Sequence, residues 1–399
     1  MKILSIETSC DETALALLKA EGGLEKPNFE IINTALYSQI KLHQEYGGVY
    51  PSLAKREHAK NLMPLLLQLL NENKNQNKDL NENENNGESA TGEAIQLTDD
   101  QTKQLVEVFA REPELLEQFI KEIPNLKKPD IDIIAVTSGP GLEPALWVGV
   151  NFARALSLIW NIPVLPVNHM EGHLASILKD STNEINFPMI ALLISGGHTE
   201  LVLIKDWGQY EIIGKTLDDA VGEAFDKVAR LLGFPYPGGP EISKLTKIAR
   251  EENLESQYNL PRPMINSGNY DFSFSGIKTA VLYLVKKIKE GSAESELTDE
   301  QKKMIALEFE NSATEVLVKK TRDAVNEYGA LKLIVGGGVI ANPHIRKTLS
   351  ENFGDILSLP DFEMATDNAV MIGIAGYLKS FREEAEIFPE IEVSGNLQF

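Results

Sequence analysis

The 399-residue chain carries 59 acidic against 38 basic side chains, a formal charge of −21, with 43% apolar residues. That is enough apolar material for two cores, and it argues against a surface that binds nucleic acid over its whole extent, because phosphate contacts need clustered Lys and Arg. No apolar run reaches a membrane span, Glu7, Asp11 and Glu12 interrupt any signal-peptide core at the start, and Cys10 is the only cysteine, so disulfides are excluded and a cytoplasmic protein is expected.

Taken in order, residues 2–6 alternate and predict a strand, Thr8-Ser9-Cys10-Asp11 a turn, and 13–17 a returning strand. The tip of this hairpin is crowded with hydroxyl and carboxylate groups, and such tips, with inward backbone N–H groups, can hold phosphate or carboxylate. Strand material continues over 30–40. After the break at Gly47-Gly48, leucines at 53, 62, 65, 66, 69 and 70 predict a helix over 52–70, bent at Pro64, with His58 expected on its exposed side. Residues 71–86 are almost wholly Asn, Glu, Lys, Gln and Asp, a composition that predicts disorder. Residues 97–128 have helical periodicity but are strongly charged, so the whole span 71–128 is expected to be an acidic surface insertion outside the core. A buried strand over 131–137 then runs through Ser138-Gly139-Pro140-Gly141 into a helix over 145–160, a join suited to an anion, though any tight strand-to-helix turn uses glycine.

The strand at 162–167 leads into Asn168-His169-Met170-Glu171-Gly172-His173. Two of the six histidines, four apart, fall on one helical face within reach of a single metal ion; a solvated or capping histidine pair explains the spacing equally well. A zinc-protease site is disfavoured, because that chemistry needs Glu directly after the first His and here Glu171 comes one residue, about 100° of helix, too late. A second strand–tip–strand follows, 189–194, Ser195-Gly196-Gly197-His198 and 199–204. It repeats the first hairpin and suggests two similar domains. Asp218-Asp219 caps a helix containing Asp226, and Pro237-Gly238-Gly239-Pro240 starts another. Asp271-Phe272-Ser273-Phe274-Ser275-Gly276 precedes a lysine-tipped helix over 277–290, and a long helix spans 299–327. Gly336-Gly337-Gly338 after a strand suggests backbone packed against a nucleotide or sugar. Asn342 opens the next helix. Thr366 and Asp367 are expected to cap the last one, over 370–381, although Asp367 could equally turn to an ion.

Together, Ile6-Glu7-Thr8-Ser9-Cys10-Asp11-Glu12-Thr13, His169 to His173, Ser195 to Thr199, Asp218 to Lys227, Tyr236 to Pro240, Asp271 to Gly276, Gly336 to Asn342 and Thr366 to Ala369 resemble the tRNA N(6)-adenosine threonylcarbamoyltransferases of TsaD type. That family lies within the actin/sugar-kinase/chaperone ATPase superfamily, and the resemblance covers nearly the whole chain except 71–128. It implies an α/β fold of two RNase H-like, actin-like ATPase domains facing a central cleft. The expected division is 1–185, holding the acidic, partly disordered insertion, and 186–399, with the last helix packing back on the first lobe.

The resemblance further implies transfer of threonylcarbamoyl from threonylcarbamoyl-AMP to the N(6) amine of the adenosine 3′ of the anticodon in tRNAs reading ANN codons, with release of AMP. His169, His173 and Asp367 would hold one divalent ion, Fe(2+) or Zn(2+). Leu193, Ile194, Ser195, Gly196 and Gly197 would hold the phosphate and acyl region, and Asp226, Gly239 and Asn342 the adenosine part. Asp11 or Glu12 is expected to take the proton from the attacking amine. Implied partners are tRNA, a TsaB-type paralogue and a TsaE-type ATPase, and no membrane. Lys55, Arg56, Lys278, Lys286, Lys287 and Arg346 are the expected phosphate contacts. Two rivals remain at this point: a nucleotide-dependent kinase or ATPase of the same superfamily, and a non-catalytic scaffold recruiting partners through its insertion.

Overall fold

The apolar runs of the chain form two five-stranded sheets with the same strand order. The computed structural model describes residues 1–79, 95–179, 185–291 and 296–399. Its first unit takes 1–41, 49–184 and 367–399, and its second takes 42–48 and 185–366.

The first unit contains β1 (Lys2–Glu7), β2 (Glu12–Glu21), β3 (Asn28–Ser38), α1 (Pro51–Asp79), α2 (Asp99–Val108), α3 (Pro113–Glu122), β4 (Ile133–Gly139), α4 (Glu143–Trp160), β5 (Val164–Asn168) and α5 (His169–Ala175). Its sheet runs β3-β2-β1-β4-β5. β1 pairs antiparallel with β2, Lys2 opposite Lys19 and Glu7 opposite Ala14, and parallel with β4, Ile3 beside Ile133. Every residue of β4 is buried, which is why it reads as a continuous apolar run rather than an alternating one.

The second unit contains β6 (Met189–Ile194), β7 (Thr199–Asp206), β8 (Gln209–Lys215), α6 (Val221–Leu231), α7 (Gly238–Glu251), α8 (Ser275–Gly291), α9 (Asp299–Tyr328), β9 (Lys332–Gly336), α10 (Pro343–Phe353) and β10 (Leu357–Ser358). Its order, β10-β9-β6-β7-β8, repeats that of the first sheet: an antiparallel meander of three strands with two parallel strands added on the side of the first. The doubled hairpin of the sequence is therefore a doubled α/β unit of one strand order, in keeping with the expected pair of RNase H-like domains.

The last helix, α11 (Ala369–Lys379), lies on the first unit's sheet and against α5. Its approach depends on missing side chains. A Cβ on Gly373 would come within 2.2 Å of Leu18 Cδ2, and one on Gly376 within 2.7 Å of Ala135 Cβ. The second unit ends at Thr366, and α11 with the tail to 399, assigned in sequence to the second domain with its last helix packing back on the first, is counted with the first unit, α11 lying on β1, β2 and β5.

The acidic insertion also needs correction. Leu105, Phe109, Leu115, Phe119 and Ile123 are fully or almost fully buried in the same core as Leu66, Phe152 and Trp160. Phe119 meets Phe152 edge to face at 6.0 Å between centroids. The charges of this stretch occupy the outer faces of α2 and α3, while an apolar stripe at helical spacing faces inward. Residues 95–128 therefore contribute to the core. Helix α1 continues to Asp79, into the segment expected to be disordered, and 80–86 of that expectation lie outside the described residues.

If the close approach of α11 is required, Gly376→Ala should destabilise the protein by about 1–3 kcal/mol through overpacking against Ala135. A lowered urea midpoint is the expected reading.

Candidate functional site

Helix α5 begins at His169 because Asn168 caps it, its Oδ1 accepting from the backbone N–H of Met170 at 2.8 Å and of Glu171 at 3.4 Å. That start places both imidazoles on the buried side, edge to face at 4.7 Å between centroids. Glu171 turns the other way and pairs with Arg382 at 3.2 Å, as its helical phase requires. Gly172 lets α5 meet α11, for a Cβ there would lie 2.9 Å from Ile372 Cδ1. At the start of α11 the N-cap is Asn368, whose Oδ1 accepts from Met371 N–H at 3.0 Å. The expected capping by Thr366 or Asp367 is not what occurs. With Asn368 filling that role, the Asp367 carboxylate is free to face the histidines, its Oδ1 lying 3.2 Å from His173 Nε2 and 3.4 Å from His169 Nε2.

Among the described residues, His169, His173 and Asp367 are the one His/Cys/Asp/Glu group whose ligand atoms converge, all within 4.8 Å of one another. Two imidazole nitrogens and a carboxylate oxygen are ordinary ligands for a divalent transition ion. An ion with bonds of about 2.1 Å in tetrahedral geometry separates its donors by about 3.4 Å. The two measured separations match that spacing, so the residues fit a metal ion.

The electrostatics point the same way. His169 Nδ1 lies 3.1 Å from Glu7 Oε2 and 3.2 Å from Ser9 Oγ, leaving Nε2 toward Asp367. Glu7 is itself fully buried, accepting from Ser9 N–H at 2.5 Å and Thr137 Oγ–H at 2.6 Å. Burial pulls the His169 pKa down, but the charges of Asp367 and Glu7 outweigh it and raise it well above the usual histidine value. Burial pushes the Asp367 and Glu7 carboxyls up, yet the imidazole beside them holds both below the usual range. A buried and a half-buried carboxylate around one imidazole make a place where positive charge is strongly favoured.

At the hairpin tip, Asp11 and Glu12 are also buried. The Glu12 carboxyl is pushed up to about 10 by burial, by the charge of Asp11 and by that of Asp367, so it holds a proton at neutral pH. His58 is fully buried beneath this tip, not on an exposed face as expected. The glycines of the loop 138–141 serve the chain itself. A Cβ on Gly139 would lie 2.1 Å from Ser394 O, and Gly141 N–H donates to Gly395 O at 3.1 Å.

In the second unit, Leu193 and Ile194 are buried within β6, so only their backbone can meet a ligand. Ser195, Gly196 and Gly197 form the turn to β7. Ser195 Oγ accepts from the N–H of Gly197 and His198, and the space where Cβ atoms of Gly196 and Gly197 would stand is open. Asp226 accepts from Gly238 N–H at 2.7 Å and from the Gly239 backbone, pinning the start of α7. Asn342 caps α10 through His344 and Ile345 N–H and donates to Glu310 Oε1 at 2.6 Å, which leaves it one amide hydrogen to offer. Gly337, at φ +91°, lies where a Cβ would strike Ile194 O at 2.6 Å, so part of the triple glycine is explained by packing on β6. Asp218 accepts from Ser273 Oγ, Phe274 N–H, and both Ser275 N–H and Oγ–H. Two separate sequence motifs are thereby joined as a latch that caps α8.

The family model described as TsaD, tRNA N6-adenosine threonylcarbamoyltransferase, matches residues 30–82 and 110–374. A tRNA N6-adenosine threonylcarbamoyltransferase from Burkholderia ambifaria is 41% identical over 383 residues, covering 95% of this chain and 92% of that protein. One from Nitrosospira multiformis is 40% identical over 390 residues, covering 97% and 93%. The chain belongs to the TsaD family. It is therefore a transferase of tRNA modification, and the kinase and scaffold readings have no support among these relatives. In this TsaD chain the segment 83–109 falls outside the family match, although α2 within it helps build the core. No helix among the described residues is long and apolar enough to cross a membrane.

Glu7 was not singled out as a site residue. It sits in the first quoted motif, but nothing in a strand-end glutamate tells that a histidine 162 positions later will rest on it. Glu7→Gln should weaken metal binding roughly 10- to 100-fold while leaving the fold intact, read by metal titration of the stripped protein. A second expectation concerns His344, whose pKa is pushed from 6.5 down to about 4 by burial and by Arg250 and Lys347. Between those values the folded chain binds fewer protons than the unfolded one, so stability should fall as pH drops from 6.5 toward 4. His344→Gln should flatten that part of the urea-midpoint profile.

Proposed function

We propose that this chain moves the threonylcarbamoyl group from threonylcarbamoyl-AMP to the N(6) amine of the adenosine 3′ of the anticodon in tRNAs reading ANN codons, in the cytoplasm, using an Fe(2+) or Zn(2+) ion held by His169, His173 and Asp367. The observation that carries this reading is the convergence of two imidazoles and a carboxylate, backed by Glu7, in a chain of this family. A kinase or plain ATPase of the same architecture has no use for that triad.

The donor is a mixed anhydride. The amine attacks its carbonyl carbon, a C–N bond forms, the C–O bond to AMP breaks, and the amine loses a proton. When bound, the ion supplies Lewis acidity toward a carbonyl oxygen, and two His and one carboxylate leave coordination positions open for it. Glu7 holds His169 with Nε2 turned to the ion. The Ser195–Gly197 turn offers open space and, at Gly196, a backbone N–H to the phosphate and acyl region. Asp226 keeps Gly239 in place, and Asn342 offers its remaining amide hydrogen to the adenosine. Asp11 is assigned as the acceptor of the amine proton, and Glu12, whose carboxyl is pushed up to about 10 by burial and the charges of Asp11 and Asp367, as the protonated neighbour that hydrogen-bonds to it. An adenine amine is a weak nucleophile, so positioning and charge stabilisation carry most of the rate.

tRNA must be met at local basic groups. Lys55 is engaged by Glu112 at 2.9 Å, and Arg346 by Ile340 O, Pro360 O and the Phe362 ring. Lys286 pairs loosely with Glu290 at 3.8 Å, while Arg56 and Lys287 are exposed. On a chain with a formal charge of −21, a TsaB-type paralogue and a TsaE-type ATPase are the proposed helpers.

The test is incubation with threonylcarbamoyl-AMP, tRNA and those partners, assaying the modified nucleoside with and without chelator. Asp367→Asn should lose metal and lower transfer by about 100-fold or more. Asp11→Asn and Glu12→Gln should each cut transfer while metal content stays. Full transfer by the stripped protein would remove the metal from the reaction.

A further inference from the structure

Beneath the first hairpin tip, helix α1 sends one side chain to the turn that carries Asp11 and Glu12. His58 is fully buried, as are its neighbours Thr13 and Gln39. Its Nε2 lies 3.0 Å from Cys10 O, and its Nδ1 lies 2.7 Å from Thr13 Oγ1 and 3.3 Å from Gln39 Nε2. A carbonyl only accepts, so Nε2 carries the proton, and Nδ1 is left to accept from the Thr13 hydroxyl and the Gln39 amide. The next carbonyl along the chain, Asp11 O, is held by Gln39 N–H at 2.9 Å. Two consecutive carbonyls of the tip are thus fixed from outside the β1–β2 ladder, and the peptide unit between Cys10 and Asp11 has one orientation. The direction in which the Asp11 side chain leaves the backbone follows from that peptide.

We propose that His58 is a positioning residue for the transfer reaction: by holding the Cys10 carbonyl it aims Asp11, and through it Glu12, at the site of proton transfer. The proposal deepens the function argued above and rests on its assignment of Asp11 and Glu12. It places none of the chemistry on His58 itself, which is separated from the reacting atoms by the turn. The bond that matters is the one from Nε2. The Nδ1 contacts set the tautomer that makes Nε2 a donor, so Thr13 and Gln39 act one step further back.

Two replacements separate this role from simple core filling. In His58→Gln the amide N–H stands near the position of Nε2 and can still reach Cys10 O. In His58→Asn the amide stands near Nδ1, keeps Thr13 within reach and leaves Cys10 O without its donor. His58→Asn is smaller than His58→Gln by one methylene, so thermal stability is measured in both beside kcat. His58→Asn is expected to lower kcat by about 10- to 100-fold, the cost of a small misplacement of a reacting group, with KM for threonylcarbamoyl-AMP and metal content unchanged. His58→Gln is expected to keep most of the rate. Amide hydrogen exchange over residues 9–13 provides a readout independent of turnover: His58→Asn should lose protection there, and His58→Gln should keep it. Equal kcat in the two variants, or equal loss of kcat, metal and thermal stability in both, would overturn the proposal. A wild-type chain that transfers nothing would overturn the assigned reaction instead, and the exchange comparison would then still decide whether His58 holds the turn.

Discussion

The close approach of α11 to the first sheet is the constraint on which the rest of the candidate site depends. Gly373 and Gly376 let the helix backbone settle on Leu18, Ser5 and Ala135, and Gly172 lets α5 settle on α11 in turn. Asp367 stands just before that helix and is carried by it. A helix displaced outward by one methyl group at each contact would take the carboxylate away from the two Nε2 atoms it now faces at 3.2 and 3.4 Å. Small residues here are therefore a matter of ligand geometry as much as of packing. Interiors are dense enough that such displacements are not absorbed locally.

That geometry would be unstable in a purely apolar setting. Glu7 is fully buried and Asp367 largely so, and each lies against an imidazole. Burying carboxylates costs free energy unless opposite charge and hydrogen bonds offset it. Thr137 Oγ–H, Ser9 N–H and the His169 ring supply part of that offset for Glu7. The remainder favours positive charge at the triad, as a protonated imidazole or a cation would supply.

Much of this was legible in the chain. The spacing of His169 and His173 placed both on one face of a helix, and the repeated strand–tip–strand announced two related sheets. What could not be read were relations between distant residues. Capping is an example: Thr366, Asp367 and Asn368 are all good N-cap residues, and only the helix start shows that Asn368 takes the role. Charge density misled over 95–128, where an amphipathic stripe buries Leu105, Phe109, Leu115 and Phe119 despite the acidic outer faces. His58 carries no local mark of burial, since the strand tip that receives it lies more than forty residues earlier in the chain.

The duplicated fold also shows how one position of a topology can be filled in two ways. In the first unit the turn between the opening strands is buried, its carbonyls at Cys10 and Asp11 are held by His58 and Gln39, and its side chains are ionisable. In the second unit the equivalent turn has Gly196 and Gly197 exposed, open space where side chains would stand, Ser195 Oγ bonded within the turn and Ser195 O accepting from Gly222 N–H at 3.2 Å. A turn that must aim a carboxylate needs external bracing, because a rotation of one peptide redirects the group. A turn with two exposed glycines leaves access instead, because no side chain covers its backbone. The same topology thus yields a rigid, charged tip in one copy and an open, neutral one in the other, and the difference lies in which residues fill four positions of a turn.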